Sequence, residues 1–521
     1  MNNNLNNEKE KEYTMKTKRI ISLLLALVIC LGALASCNSE NPNGGGGDRV
    51  GDSWDGVDFK GQEVNFCISV NKYDECMFPA ADIYTKGPDA ATPNEVTKEV
   101  LTRNKAAEET LGITVKYTTK DLLYSGVLED IQNTVLTSSK TSPDIYNNDI
   151  FGLVRAMTNG YLWNVKNPGE GIKNYFDFTK DGWYFDYIKG CTYDQNKLYI
   201  FAGDYFIDMI RMAWVVLVNN DLLSANLSSM PEWCTNVDEF YAYVGDGAWD
   251  LDVAAEIAGS VFADKDMNGI AESTDTLVGL AINSVTPWIV SAASQITLFY
   301  QDAADNYKPK MMQDTNEYQK VADKYVTMLN SRGVCMAPTG SSNSVLECTK
   351  YFLNGNVLFA YSRLGELEAE GVRNFTASKG LVPTPKWNQN EQMEYHTAVH
   401  DQAELGCILN TAKAFSAASA LMQYLNEESE KVVYAYYEKG LKFKYNDDKN
   451  TRDMMDIVRD TTDSPFSWQV GWACLDLYTG TPALTKLYLY NNTTVSSTFA
   501  AEKDAYADCL RQVIERFEKF E

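Results

Sequence analysis

The chain has 521 residues, a formal net charge of −25, and a composition that is 45% hydrophobic and 12% aromatic. So acidic a chain is ill suited to nucleic acid or to lying flat on anionic lipid, both of which reward a surplus of basic charge. Its length and apolar content suffice for two or three domains with cores of their own.

Lys16, Lys18 and Arg19 precede an apolar run from Ile20 to Leu34. At about 15 residues, that run suits the hydrophobic region of an export signal and is short for a membrane span. It ends in Leu34-Ala35-Ser36-Cys37, small residues before a cysteine, the pattern of a bacterial lipoprotein signal. Residues 1–36 are thus expected to be a removable signal, with Met15 as an alternative start, and Cys37 the lipidated new N-terminus. Two acyl chains on that cysteine would anchor the protein stably to the extracellular face of the cell membrane. An ordinary secretory signal with a chance cysteine is the competing reading.

Residues 37–56 carry four consecutive glycines among Asn, Ser, Asp and Pro and read as a flexible tether. Val64-Asn65-Phe66-Cys67-Ile68 then alternates like a strand. Thr92-Pro93-Asn94-Glu95 has the form of a helix-capping box with proline at the first helical position. Val96, Val100, Ala107 and Leu111 share one helical face, and Gly112 closes that helix. A strand at Ile113–Tyr117, a helix through Val127, Leu128, Ile131 and Val135, and a strand at Asp144–Tyr146 follow. Strand, helix, strand, helix, strand predicts a mostly parallel sheet covered by helices, with ligands at the carboxyl ends of its strands. Lys197–Phe201 and Trp214–Val218 are two further extended runs. A second helical and strand series begins after Leu223, with no long linker between the halves.

The eleven cysteines include Cys30 and Cys37 in the signal region. The others are scattered, without a Cys-x-x-Cys pair, and read mainly as small buried hydrophobes, with Cys335 and Cys348 as a candidate pair.

Asp181-Gly182-Trp183 precedes the strand pair, whose first member opens on Lys197-Leu198-Tyr199 after Asn196. With these and the segments below, the sequence from Glu63 to Trp468 resembles the family of sugar-type extracellular solute-binding proteins of ATP-binding-cassette (ABC) importers, especially its long lipoprotein forms, which have a Gly-Lys-Leu-Tyr turn where this chain has Asn196 to Tyr199. Val216 to Leu223 is similar to its "tyrosine or phenylalanine, asparagine, lysine, aspartate, leucine" signature, departing at Val218 and Asn220. Thr235–Phe240 with Gly247–Asp250, Phe352–Phe359, and Leu381–Trp387 resemble its later segments in the same order. The resemblance implies an α/β, periplasmic-binding-protein-like fold, in which two α/β lobes joined by a hinge of crossing strands close around a ligand. By that analogy residues 57–208 with 400–430 form the N-terminal lobe, and 209–399 with 431–521 the C-terminal lobe. The chain would cross near Gly203–Ala213 and return near His396–Cys407. It also implies a monomer that delivers a small molecule to importer permease subunits, with no catalysis and no nucleic acid.

Sugars pack their C–H faces on aromatic rings and need planar acceptors for their hydroxyls. The candidate ligand residues are Trp183, Asp204, Tyr205, Trp288, Tyr300, Tyr361, Arg363 and Trp468. Asp204 and Tyr205 rank first, at the expected crossover. Each aromatic could instead be core, and Arg363 could simply pair with Glu366.

Asp264, Asp266, Asn268, Ile270 (through its carbonyl), Glu272 and Asp275 match the ligand positions of a Ca2+ loop, with Gly269 at the sharp turn. Asp275 stands where an EF-hand has glutamate. The alternative is a polar turn without metal. His396 and His400 are the only histidines. Thr397–Val399 suits a strand, which would hold them over ~10 Å apart at about 3.3 Å per residue, too far to share a metal. No nucleophile elbow, phosphate loop or dinucleotide fingerprint is visible.

The expectation is therefore a non-enzymatic receptor for an oligosaccharide or other polyhydroxylated solute. The competing readings are a surface glycan-binding lipoprotein without an importer, a peptide or amino-sugar receptor, and a lipid-anchored glycoside hydrolase, which needs only two placed carboxylates.

Overall fold

The computed structural model describes residues 53–70, 82–88, 93–122, 124–194, 196–337, 344–444, 448–463 and 495–519. The signal segment, Cys37, most of the tether and Trp468 lie outside these residues.

Val64, Phe66, Cys67 and Ile68 are all buried, so β1 (Gln62–Val70) is covered on both faces, as a central parallel strand must be. β2 (Ile113–Asp121) and β3 (Ile145–Asn148) flank it in parallel, with Gln62 opposite Ile113 and Phe66 opposite Ile145. The helix Glu95–Leu111 crosses between β1 and β2. Its cap is Asn94, which accepts from the Thr97 N–H at 2.9 Å, two residues beyond the threonine the motif pointed to. Gly112 ends it in the left-handed region at φ 61°, and a Cβ there would strike the Asp58 carboxylate.

The Lys197–Phe201 run makes only a short ladder, β4 (Thr192–Tyr193) against β5 (Lys197–Leu198). The chain then enters the second sheet. Its strands are β6 (Trp214–Asn219), β7 (Val278–Ile282), β10 (Val334–Met336), β11 (Val357–Arg363) and β12 (Lys379–Pro383), in the order β10-β7-β11-β6-β12. β6 runs antiparallel to β11 and β12, while β10 and β11 both pair with β7 in parallel. Between β7 and β10 lies a separate hairpin, β8 (Phe299–Asp302) with β9 (Lys308–Met311). After the short β13 (Thr397–Ala398), the chain returns to the first sheet as β14 (Leu405–Ile408), antiparallel to β3. The helix Phe415–Glu427 then packs on the Glu95–Leu111 helix, and Lys449–Asp460 packs on β12.

The two passages between sheets run side by side. Phe201 and Gly406 bond each other's backbone at 2.9 and 3.0 Å, and the His400 N–H donates to Met212 O at 2.8 Å. The outgoing segment passes β14 and delivers Trp214, paired with Arg363 at the carboxyl end of β11. The returning one delivers Leu405, paired with Asn148 at the carboxyl end of β3. Each passage thus joins the carboxyl edge of one sheet to that of the other, and the edges are turned toward each other.

Cys335 and Cys348 are not a pair. Both are free, buried thiols, one on β10 and one in the helix Ser344–Leu353, and Cys67, Cys234 and Cys407 are free and buried as well. Packing rather than cross-linking accounts for them.

Candidate functional site

At the carboxyl edge of the first sheet the sequence changes abruptly from apolar to polar. Ser69, Asn147, Asn148 and Asp149 close β1 and β3 and are buried. The Ser69 N–H donates to Asn147 Oδ1 at 3.0 Å. Asn148 Nδ2 donates to the Ser69 carbonyl at 3.0 Å, and Asn147 Nδ2 to Glu404 Oε2 at 2.9 Å. Asp149 caps the helix Ile150–Thr158, its Oδ1 accepting from the Gly152 N–H at 3.0 Å. Gly152 is required there, since a Cβ would meet Asn148 Oδ1 at 2.7 Å. Among the described residues, Asn148 Oδ1 and Asp149 Oδ2 have no hydrogen-bond partner.

Burial pushes the Asp149 carboxyl up to about 7 despite the Gly152 N–H and the Arg155 guanidinium. Glu404 is raised well above the usual carboxylate range, first by burial and then by Asp208 and Asp82, against the pull of Arg211. The outgoing passage supplies Asp208 and Arg211, whose Nη1 donates to Asp208 Oδ1 at 2.8 Å. Arg211 Nε donates to Glu368 Oε1 at 3.0 Å, and its guanidinium lies 4.9 Å from the centre of the Tyr84 ring. Burial alone would lower the Arg211 guanidinium, but these carboxylates outweigh it. Glu368 also accepts from Tyr84 OH at 3.1 Å and from Tyr436 OH. Tyr84 belongs to the first sheet's side and Glu368 follows β11, so this carboxylate ties the two bodies together.

The second sheet's edge contributes Arg363, which donates to Glu366 from the end of β11. It also contributes His400, held well below its ordinary value by burial and by Arg363. Trp288 is half-buried in the helix Thr286–Ser294 that follows β7.

The sequence-predicted ligand residues are not gathered at one surface. Asp204 is paired with Arg459 at 3.2 Å. Tyr205 is fully buried, with its ring 4.6 Å from the Arg103 guanidinium carbon and packed on Phe206. Trp183 is buried among Phe176, Phe178 and Phe201, and its indole N–H is spent on Gln423. Tyr361 and Arg363 are fully buried, the latter in the Glu366 pair. Trp183, Tyr205, Tyr361 and Arg363 are therefore interior groups in this structure and not open cleft lining. Tyr300 is 40% exposed on the β8–β9 hairpin.

Sequence reasoning passed over Asn147, Asn148, Asp149, Asp208, Arg211 and Glu368. The signal available was the polar triplet directly after the strand at Asp144–Tyr146. Glu404 lies close after His400 in sequence, and nothing in the local pattern ties it to this edge. His396 bonds Asp463 at 2.9 Å, whereas His400 is buried against Trp214.

In the acidic loop, Asp264 accepts from the Met267 and Gly269 N–H groups at 2.7 and 2.8 Å, and Asp275 accepts from Lys265 and Glu272 at 2.9 and 2.8 Å. One carboxylate oxygen each from Asp264, Asp266 and Asp275 lie within 4.8 Å of one another. Ile270 and Glu272 are exposed, and Asn268 Oδ1 accepts from the Ile270 N–H at 2.6 Å. Away from both sheet edges, a cavity of about 860 Å³ opens beside Trp163, Asn164, Asp194 and Tyr199. None of the predicted ligand residues lines it.

No family model matches the sequence, and no curated relative does. Solved structures do match in fold. Protein lmo0859 of Listeria monocytogenes EGD-e aligns with a TM-score of 0.53 at 12% identity, over 86% of this chain and 100% of its own. The GacH receptor of Streptomyces glaucescens GLA.O, described in complex with acarbose, aligns with a TM-score of 0.51 at 12% identity, over 87% and 99%. The galacto-N-biose-/lacto-N-biose I-binding protein of the ABC transporter from Bifidobacterium longum aligns with a TM-score of 0.50 at 12% identity, over 88% and 98%. The architecture is therefore the periplasmic-binding-protein-like α/β fold that the sequence implied. No helix among the described residues is long and apolar enough to cross a membrane.

Proposed function

We propose that the chain is the substrate-binding lipoprotein of an ABC importer, capturing an oligosaccharide or other polyhydroxylated solute between its lobes. The observation that carries this reading is the pair of facing carboxyl edges, one of them floored by the buried polar side chains Ser69, Asn147, Asn148 and Asp149. The neighbours that bind saccharides on this fold agree with it. A hydroxyl-rich guest suits an edge built of polar side chains, and closure is driven only by its preference for the closed arrangement. In this reading the chain does no chemistry on its guest. Cys37 carries the lipid that holds it outside the cell membrane, and permease subunits receive the load.

The acidic loop is proposed as a structural Ca2+ site. Asp264, Asp266 and Asp275 would hold a hard cation that wants oxygen donors.

Calorimetric titration of the full chain with a panel of oligosaccharides tests the main reading. One-to-one binding with the sugars recovered intact is expected. Cleaved products, or a panel in which no saccharide binds, would overturn it.

A further inference from the structure

We infer that the helix Val495–Glu518 is a strap that holds the two lobes in this arrangement, and that its end on the short β4–β5 ladder is the latch released when they part. The inference goes beyond the proposed binding function, since it concerns how the lobes are held, whatever their guest.

The helix has one apolar stripe at helical spacing: Val495, Phe499, Tyr506, Leu510, Val513 and Phe517 are all buried. Its 24 residues span about 36 Å at roughly 1.5 Å each, the scale of a whole lobe. Its two ends rest on different lobes. At the start, the Val495 N–H donates to Gln319 Oε1 at 2.8 Å, and the Ser496 and Thr315 hydroxyls share a hydrogen bond of 3.1 Å. Gln319 lies in the helix Asn316–Leu329, which leads from β9 to β10 of the second sheet. Tyr506 meets Phe299 of β8 edge to face, with ring centres 6.5 Å apart.

At the other end, Phe517 stacks on Tyr193 with ring centres 4.3 Å apart and lies 5.6 Å from Tyr199. Its carbonyl accepts from Lys197 Nζ at 3.1 Å. Tyr193 and Lys197 are directly opposed on the β4–β5 ladder, so they present a ring and an ammonium side by side. That ladder joins neither large sheet, but it is fixed to the first lobe, where the Val165 N–H donates to the Leu198 carbonyl at 2.7 Å. Gln301 of β8 also donates to the Thr192 carbonyl, so the second lobe reaches the ladder twice.

A helix does not stretch. When one lobe turns against the other about the two passages, Gln319 and Lys197 travel with different lobes, and one end of the helix must let go. The last four carbonyls of a helix have no partner within it, so the C-terminal turn frays most readily. Lys197 gives one of them a charged donor, where the helix dipole favours a cation. The starting end is held more broadly, by two hydrogen bonds and the Tyr506 ring. The Phe517 end is therefore the one that opens.

The test uses the full chain without ligand, so its outcome leaves the binding function untouched. In Phe517→Ala with Gln301→Ala, hydrogen exchange over residues 511–518 should become at least about tenfold faster, while residues 496–504 and β1 exchange as in the parent. Small-angle scattering should give a larger radius of gyration than the parent's. Should that variant fail to fold, Phe517→Leu with Gln301→Ala keeps the apolar bulk, loses the ring stack, and should show the same pattern at smaller size. Faster exchange at 511–518 with the parent's radius of gyration would show that the end lets go without the lobes parting. Equal acceleration along the helix and in both sheets would make Phe517 an ordinary core residue, and no acceleration would show that the contact holds nothing. Each of these three results overturns the inference.

Discussion

Replacing Glu368 by alanine removes one carboxylate on which three donors converge: Arg211 Nε at 3.0 Å, Tyr84 OH at 3.1 Å and Tyr436 OH. Arg211 would not be stranded, because Asp208 still receives its Nη1 at 2.8 Å. The loss is therefore smaller than the ~3–5 kcal/mol typical of breaking a buried ion pair outright. Each phenol left without its acceptor adds about 1 kcal/mol, and groups in one network do not add simply. The sum comes to ~3–4 kcal/mol of destabilisation, a fall of about 3–4 °C in the unfolding midpoint, because an unfolding entropy of about 2.1 cal/mol/K per residue amounts to roughly 1 kcal/mol/K for a chain this long. Scanning calorimetry reads it directly, with the exposed neighbour Glu370→Ala as a control that should move by less than ~0.5 kcal/mol. Because Tyr84 and Glu368 lie on opposite bodies, the ligand-free variant should also have a larger radius of gyration in solution scattering. A midpoint within 1 °C of the parent would show that the carboxylate contributes nothing net. The account of how the two bodies are tied would then be wrong.

Asp149→Asn keeps the cap but removes a carboxyl that burial raises to about 7, in the face of Arg155 and with Glu404, Asp208 and Asp82 nearby. The folded chain retains this proton while the unfolded chain releases it near 3.9, so the carboxyl's contribution to stability is whole below about pH 4 and lost as pH rises to about 7. The variant should gain on the parent by ~2–4 kcal/mol between pH 4 and pH 8 in urea unfolding; a pH-independent difference would contradict the burial argument. At Gly203 a Cβ would approach Asn426 Oδ1 to 2.1 Å and Trp183 Cε3 to 2.8 Å. Gly203→Ala should cost ~1–3 kcal/mol as an overpacked interior, and an unshifted melting curve would refute that contact. Millimolar Ca2+ against a chelator should raise the melting temperature, equivalent to about 2.7 kcal/mol at a hundredfold excess over the dissociation constant. Asp266→Ala should abolish the difference, and an unaltered chain that melts alike in both would reduce the loop to a polar turn.

The parallel first sheet was legible because its signals are local. Alternation at Val64–Ile68, a helix closed by Gly112, and the apolar spacing of Val127, Ile131 and Val135 each depend on a handful of neighbouring residues. So was the two-lobed arrangement, through the order of the resembling segments. The helix start was misplaced because Thr92 also fits a capping pattern, whereas the structure uses Asn94, the stronger capping residue type. Aromatic residues are the least legible. A ring next to a glycine-aspartate turn reads as a sugar platform, yet the same ring also packs in an interior, as Trp183 does on Phe178 and Phe201 and Tyr205 on Phe206. The polar edge escaped notice for the opposite reason. Asn147 and Glu404 meet only because β14 returns beside β3, and a pairing across 257 positions leaves no trace in local pattern.

That return sets the energetics of capture. Glu404 immediately precedes β14 and Asp208 lies in the outgoing passage, so the charged groups that would feel a guest are carried by the two segments joining the lobes. A guest that touches either segment therefore acts on the hinge itself, without a relay through either core. The Glu368 tie acts on the same equilibrium from the other side, since Arg211 is shared between that tie and Asp208. A guest that draws Asp208 toward its own donors leaves Arg211 more fully to Glu368, which strengthens the contact between the bodies. Ligand and tie should thus be coupled favourably, and coupling is reciprocal. A Tyr84→Phe chain, with one donor fewer on Glu368, should bind its guest more weakly. Titration of the parent and Tyr84→Phe with the same saccharide measures that coupling. Identical affinities would show that the tie and the site are energetically separate.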